Sequence, residues 1–287
     1  MLFLLAAGLT LVFGIMDMIN LAHGSLYMLG AFLASTFVAL TGSFTAGVLL
    51  AIPATAILGM ALEVTVLRTL YERDHLSQVL ATFALILILN EVVRLVWGSD
   101  AALPMPAALS GPVELLPGLP YPAYRLVIIA VGLLIAVILY LLVAKTKIGM
   151  LVRAGASNRE MALAMGVNIK LLFTLVFGAG AALCAVAGAM LAPLFAVQVG
   201  MGENILILAF VVIVIGGIGS IRGALVGAVL VGVVDTIGRA FLPLLFGLVF
   251  QPRVASAAGP AIASVSIYLL MAVILYFKPK GLFPTRG

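Results

Sequence analysis

Apolar runs close to twenty residues long recur along this chain, and few charges interrupt them. A bilayer hydrocarbon core is crossed by a helix of about 20 apolar residues. Candidate spans fall at 2–16, 22–41, 44–67, 79–97, 124–144, 171–195, 205–217, 224–246 and 260–277. The first and seventh are short, as halves of broken helices or re-entrant segments would be. Composition agrees with this reading: 65% of residues are hydrophobic and 9% charged, against about 45–50% and about 25% in soluble domains. One globular core cannot hide such a surplus. An ordinary soluble enzyme, a disordered chain and a disulfide scaffold are therefore excluded. Barrel strands would alternate apolar and polar residues, and these runs do not. The expected fold is an all-α polytopic membrane protein, a single domain over 1–287 with about 8–9 transmembrane helices and broken or re-entrant segments.

Lysine and arginine set the expected orientation. One set of loops holds Arg68, Arg73, Lys145, Lys147, Arg153, Arg159, Lys170, Arg222, Lys278, Lys280 and Arg286. The opposite set holds Arg125 and Arg253, while Arg94 and Arg239 fall inside spans. The richer side is expected to be cytoplasmic, with the C-terminus inside and the proline-rich loop 98–123 outside. The net charge of +5 then reads as topology, and no nucleic acid is needed to explain it. Met1 runs directly into Leu2–Leu5 without a basic lead, so no cleavable signal pattern is expected. Cys184, the one cysteine, lies in a small-residue apolar stretch and is expected to be a buried, inert thiol.

Three segments carry polar or glycine-rich motifs. The first is the break Asp17–Ser25, followed by Tyr27. Polar groups so near hydrocarbon need protein, water or a partner. Asn20 and His23 would share a helix face. Asn20 can cap the next span and Gly24 can permit close packing, so a helix junction and the lining of a transport path both remain open. Two histidines without clustered thiols make a metal site unexpected. The second segment is Lys145–Lys170. Ser157-Asn158-Arg159-Glu160 matches a capping box, and Gly166 offers a C-terminal stop. Met161, Ala164 and Met165 fall at i, i+3, i+4 and give an adaptable apolar face. A helix of about two turns needs something to pack against: either its own membrane surface or a groove on a cytoplasmic partner. The third segment, Gly216–Gly223, lacks the lysine of a phosphate-binding loop and reads as a tight turn.

Charge pairs and small residues complete the pattern. Glu91 and Arg94 are i, i+3, and Asp235 and Arg239 are i, i+4, so each pair can neutralise itself inside a bundle. Glu63 can pair with Arg68. The runs Gly178–Ala182, Ala185–Ala189 and Gly223–Ala228 allow close helix approach, within the bundle or between subunits.

The run Met18–Ala31 resembles the early signature of permease subunits of branched-chain amino acid ABC importers. The segment Gly149–Val167, the motif Gly216–Ser220 with Gly223 and Ala224, and the tail Lys278–Phe283 are similar to that family as well. Members usually carry a short lead and a fuller first helix where Met1 falls here. The resemblance implies a multi-pass permease of the bacterial inner membrane that moves branched-chain, hydrophobic amino acids; relatives moving urea or short amides are similar. It implies a second permease, homologous or identical, two cytoplasmic ATPases that bind ATP and Mg, and a periplasmic or lipid-anchored solute-binding protein. Membrane lipid is the remaining partner. It further implies that Ser157, Arg159, Glu160, Met161, Ala164, Met165 and Gly166 form the coupling helix. Asn20, His23, Gly24 and Tyr27 are the residues expected along the pathway. No cofactor is expected on this chain and no catalytic residue, so it is not expected to be an enzyme. An ion-coupled transporter would need midplane carboxylates, and Asp235 and Glu91 each have an adjacent arginine. An intramembrane hydrolase would need a better-built set than His23 and Ser25.

Overall fold

In the computed structural model, residues 1–116, 119–248 and 250–283 are described. The chain runs α1 (Leu2–Met16), α2 (His23–Thr41), α3 (Phe44–Thr65) and α4 (His75–Trp97), then α5 (Ala123–Lys145), α6 (Lys147–Ser157) and α7 (Arg159–Ala164). It continues through α8 (Ile169–Leu191), α9 (Met201–Gly216), α10 (Ile221–Gly247) and α11 (Pro252–Phe277). Seven of these helices, α2, α3, α4, α5, α8, α10 and α11, are long and apolar enough to cross a membrane; α1 and α9 are shorter apolar helices. Each of the nine apolar runs is therefore a helix. At about 1.5 Å per residue, α1 spans roughly 22 Å, less than the roughly 30 Å of hydrocarbon.

Helices α1 and α8 are the innermost. Nearly all of α1 is buried, and α8 is buried along most of its length. Small residues let these backbones meet. A methyl group built on Gly8 would lie 3.0 Å from the Gly180 carbonyl oxygen, and one on Gly24 would lie 2.4 Å from that of Gly202. Gly223 meets Gly216 in the same way, so the G-x-x-x-G of α10 is spent on the α9–α10 hairpin. Helices α4, α5, α10 and α11 form the periphery, with exposed leucine, isoleucine, valine and phenylalanine. Such faces are what lipid or a neighbouring subunit covers.

Residues 17–22 are not α-helical, yet Met18, Asn20 and Ala22 are buried. Irregular backbone at membrane depth is tolerated where protein covers it. The proline-rich loop 98–123 contributes strands to two ribbons. β1 (Asp100–Ala101) pairs with β4 (Val197–Gln198), and β2 (Pro112–Leu116) pairs with β3 (Leu119–Pro122), both antiparallel. The first ribbon ties the α4–α5 loop to the entry of α9.

Candidate functional site

The segment Lys145–Lys170, in which one capped helix is expected at Ser157–Gly166, holds two short helices, α6 and α7. Thr146 caps α6, its hydroxyl accepting from the Gly149 N–H at 3.1 Å. Gly149, Val152 and Gly155 turn inward, and Gly155 lies against Leu172 of α8 and Ile15 of α1. Arg153 donates to the Val143 carbonyl of α5. The capping residue of α7 is Asn158, and the expectation for Ser157 is corrected. The Asn158 backbone is extended and its Oδ1 accepts from the Met161 N–H at 2.8 Å, while Ser157 ends α6. Asparagine caps as well as serine, and the extra turn of α6 places it at the break. Gly166 has a φ of 86° and closes the segment. Met161, Leu163, Ala164 and Met165 are all exposed, and Ala162 alone of the described α7 side chains is buried. The side chains of Arg159 and Glu160 lie outside the described residues.

Below α1, at the end rich in lysine and arginine, three cavities of about 500, 430 and 430 Å³ share Gly219 in their walls. The α9–α10 turn forms their common wall. Gly217 and Gly219 take φ of 101° and 82° there, which a side chain would resist. A methyl group on Gly14 would come within 2.9 Å of Gly219 Cα, so α1 stands directly on this turn. The tail folds onto the turn from the other side. Leu282 N–H donates to Ile215 O and Phe283 N–H to Gly216 O, both at 2.9 Å. Two motifs far apart in sequence thus form one structure.

Residues 1–277 match the family described as "Branched-chain amino acid transport system / permease component". The chain is 30% identical over 296 residues to the high-affinity branched-chain amino acid transport system permease protein BraD of Pseudomonas aeruginosa, covering 97% of this chain and 90% of that protein. It is 31% identical over 254 residues to LivH of Escherichia coli, a permease protein of the same description, covering 83% and 82%. A probable LivH of Methanocaldococcus jannaschii is 29% identical over 262 residues, covering 87% and 81%. The chain belongs to this permease family. No solved structure matches it.

In the permease, Asn20, His23, Gly24 and Tyr27 are all buried, and none of them lines the three cavities. Asn20 precedes α2 and does not cap it or share a helix face with His23; its Oδ1 accepts from Ala22 N–H at 3.0 Å in a local turn. The His23 ring reaches between Gly8 and Gly180, with Nε2 3.1 Å from Cys184 Sγ. Thr10 Oγ1 and Asn20 Nδ2 are buried without partners among the described residues.

Both intramembrane ion pairs form, at 3.1 Å for Glu91–Arg94 and 2.8 Å for Asp235–Arg239. Their expected place inside the bundle is corrected. Side-chain exposure is 57% and 58% in the first pair, and 32% and 51% in the second, because both pairs lie on peripheral helices. Arg239 also donates to Ser264 at 3.2 Å, and Asn90, beside Glu91, donates to Glu203 at 2.9 Å. Glu63 is fully buried. It accepts from Arg68 at 3.0 Å, from Tyr71 at 2.7 Å and from Thr174 at 2.7 Å. Arg68 was legible from spacing. Tyr71 and Thr174 were not, since Thr174 is brought in by the packing of α8 on α3.

Proposed function

We propose that this chain is a pathway-forming permease subunit of an ATP-driven importer of branched-chain amino acids in the cytoplasmic membrane. The basic end is cytoplasmic and the C-terminus lies there. Energy comes from two ATPase subunits that bind ATP and Mg, because this chain carries no nucleotide-binding motif. A second permease, homologous or identical, and a periplasmic or lipid-anchored solute-binding protein complete the assembly. The apolar faces of α4, α5, α10 and α11 meet lipid or that second permease.

The observation that carries the reading is α7. It is a short capped helix on the basic side, with Met161, Leu163, Ala164 and Met165 exposed. Such a helix is unstable alone, and exposed methionines suit a groove on a protein partner. Movement of α7 passes to α6, which packs on Ile15, and so to the foot of α1. In this reading, ATPase closure shifts α6 and α1 together and switches the bundle between outward and inward openings.

Met161→Asp with Met165→Asp tests the docking. Loss of ATPase co-purification and of leucine uptake, with the permease still inserted, is expected. Unaltered co-purification sinks the docking role. Uptake of leucine against urea in a deletion strain tests the substrate.

A further inference from the structure

The largest of the basic-side cavities, about 500 Å³, is lined by the end of α1, by Tyr71, Arg73, His75 and Gln78, and by parts of α6 and the α9–α10 turn. Its volume falls in the range of small-molecule sites, about 300–1,000 Å³. Its polar groups are mismatched in a specific way. Asp17 closes α1 with a φ of 49°, the only described non-glycine residue with positive φ. Such a conformation is costly for a side-chain-bearing residue and fixes where the carboxylate stands. That carboxylate is exposed and has no ion-pair or hydrogen-bond partner among the described residues; the same holds for the guanidinium of Arg73. An acid and a base therefore line one cavity without joining.

A third group holds one of these two in place. Gln78 is 3% exposed. Its Nε2 donates to the carbonyls of Leu70 at 3.2 Å and Arg73 at 3.0 Å. Those bonds fix which way the amide faces and leave Oε1 as a buried acceptor without a partner among the described residues. A buried acceptor left unmade is costly. The atom is sealed from the cavity, and Gln78 serves the cavity by holding the Arg73 backbone at its wall.

We propose that this cavity binds a free α-amino acid as its zwitterion. The ammonium pairs with Asp17. The carboxylate pairs with Arg73, whose planar fork suits it, and the side chain lies against the apolar wall of Phe13 and Ala156. This inference rests on the amino-acid transport reading and on the basic face being cytoplasmic. The occupant then comes from the cytosol. Because the cavity joins α1, α6 and the α9–α10 turn, occupancy ties together the elements that α7 must move, and transport slows as cytosolic amino acid rises.

The test is equilibrium dialysis of radiolabelled leucine against the purified complex of permeases and ATPases without the solute-binding protein. Saturable binding is expected, weakened at least tenfold by Asp17→Asn, by Arg73→Gln and by Gln78→Leu in complexes that still retain ATPase. Leucinol, without a carboxylate, and 4-methylpentanoate, without an ammonium, should compete poorly. No binding, or binding indifferent to Asp17→Asn and Arg73→Gln, overturns the site. So does competition by phosphatidylethanolamine, another zwitterion, in nanodiscs where leucine does not compete. Leucine uptake by the wild-type complex with its binding protein is measured in parallel. Uptake with no Asp17-dependent binding rejects this site alone, whereas no uptake of leucine rejects the transport reading; binding is scored in either case.

Discussion

The Thr174 hydroxyl serves a carboxylate that is wholly enclosed. Glu63 accepts from it at 2.7 Å, and hydrogen bonds to charged groups contribute about 1.5–3 kcal/mol. Thr174→Val should destabilise the protein by roughly that amount, read as a lowered unfolding midpoint in detergent; an unchanged midpoint would mean water replaces the hydroxyl. Asp74 shows the opposite, exposed case. It caps α4, and the Ser77 hydroxyl at 2.6 Å followed by the Ser77 N–H at 3.1 Å holds its carboxyl below the usual range. A depressed folded value means the contribution is full above the unfolded value of about 3.9 and is lost only as pH falls through the folded value. Hydrogen exchange at the Ser77 amide should therefore stay equally protected at pH 7 and pH 5, after correction for intrinsic exchange rate. Spacing alone made the Glu63–Arg68 pair legible. It misplaced the α7 cap by one residue, because Ser157 and Asn158 are both good caps and the length of α6 decides between them.

Among elements, the nine apolar runs were legible because lipid requires them to be long and uninterrupted. Their ends were not. Asp74 and Asn168 cap α4 and α8 from outside the apolar stretch, so α4 starts at His75, four residues before the expected span. Helix α6 was hidden for a related reason: its inward residues include Gly149 and Gly155, which look like loop until a neighbouring backbone is known to approach. The β1–β4 ribbon depends on a partner far along the chain. Gly24→Val should be severe, since the added Cβ meets the Gly202 backbone at 2.4 Å and backbone cannot yield as a side chain does; overpacking of this kind costs about 1–3 kcal/mol or more. Gly132→Ala in α5 meets nothing within 4 Å and should stabilise by about 0.5–1 kcal/mol. Thermal unfolding of both variants checks the contrast, and equal shifts would contradict the packing described for α2 and α9.

At the scale of the molecule, the asymmetry of lysine and arginine makes a directional prediction. Because Cys184 is buried, cysteines introduced elsewhere can be labelled without interference. Glu114→Cys should react with an impermeant maleimide on intact spheroplasts, and Lys280→Cys only after the opposite face is opened; the reverse pattern would invert the orientation. The basic-side cavity was illegible in advance because its walls come from four separate stretches of chain, and only the packed bundle joins them. The burial of α1 has a further consequence for biogenesis. Its principal neighbours are α8 and α9, and α8 begins about 150 residues after α1 ends, so at about 5–20 residues per second the ribosome takes roughly 8–30 s to deliver it. For that interval α1 is without the surface it is shaped to fit. It must wait in the insertion machinery or against lipid, and the heart of the bundle closes late.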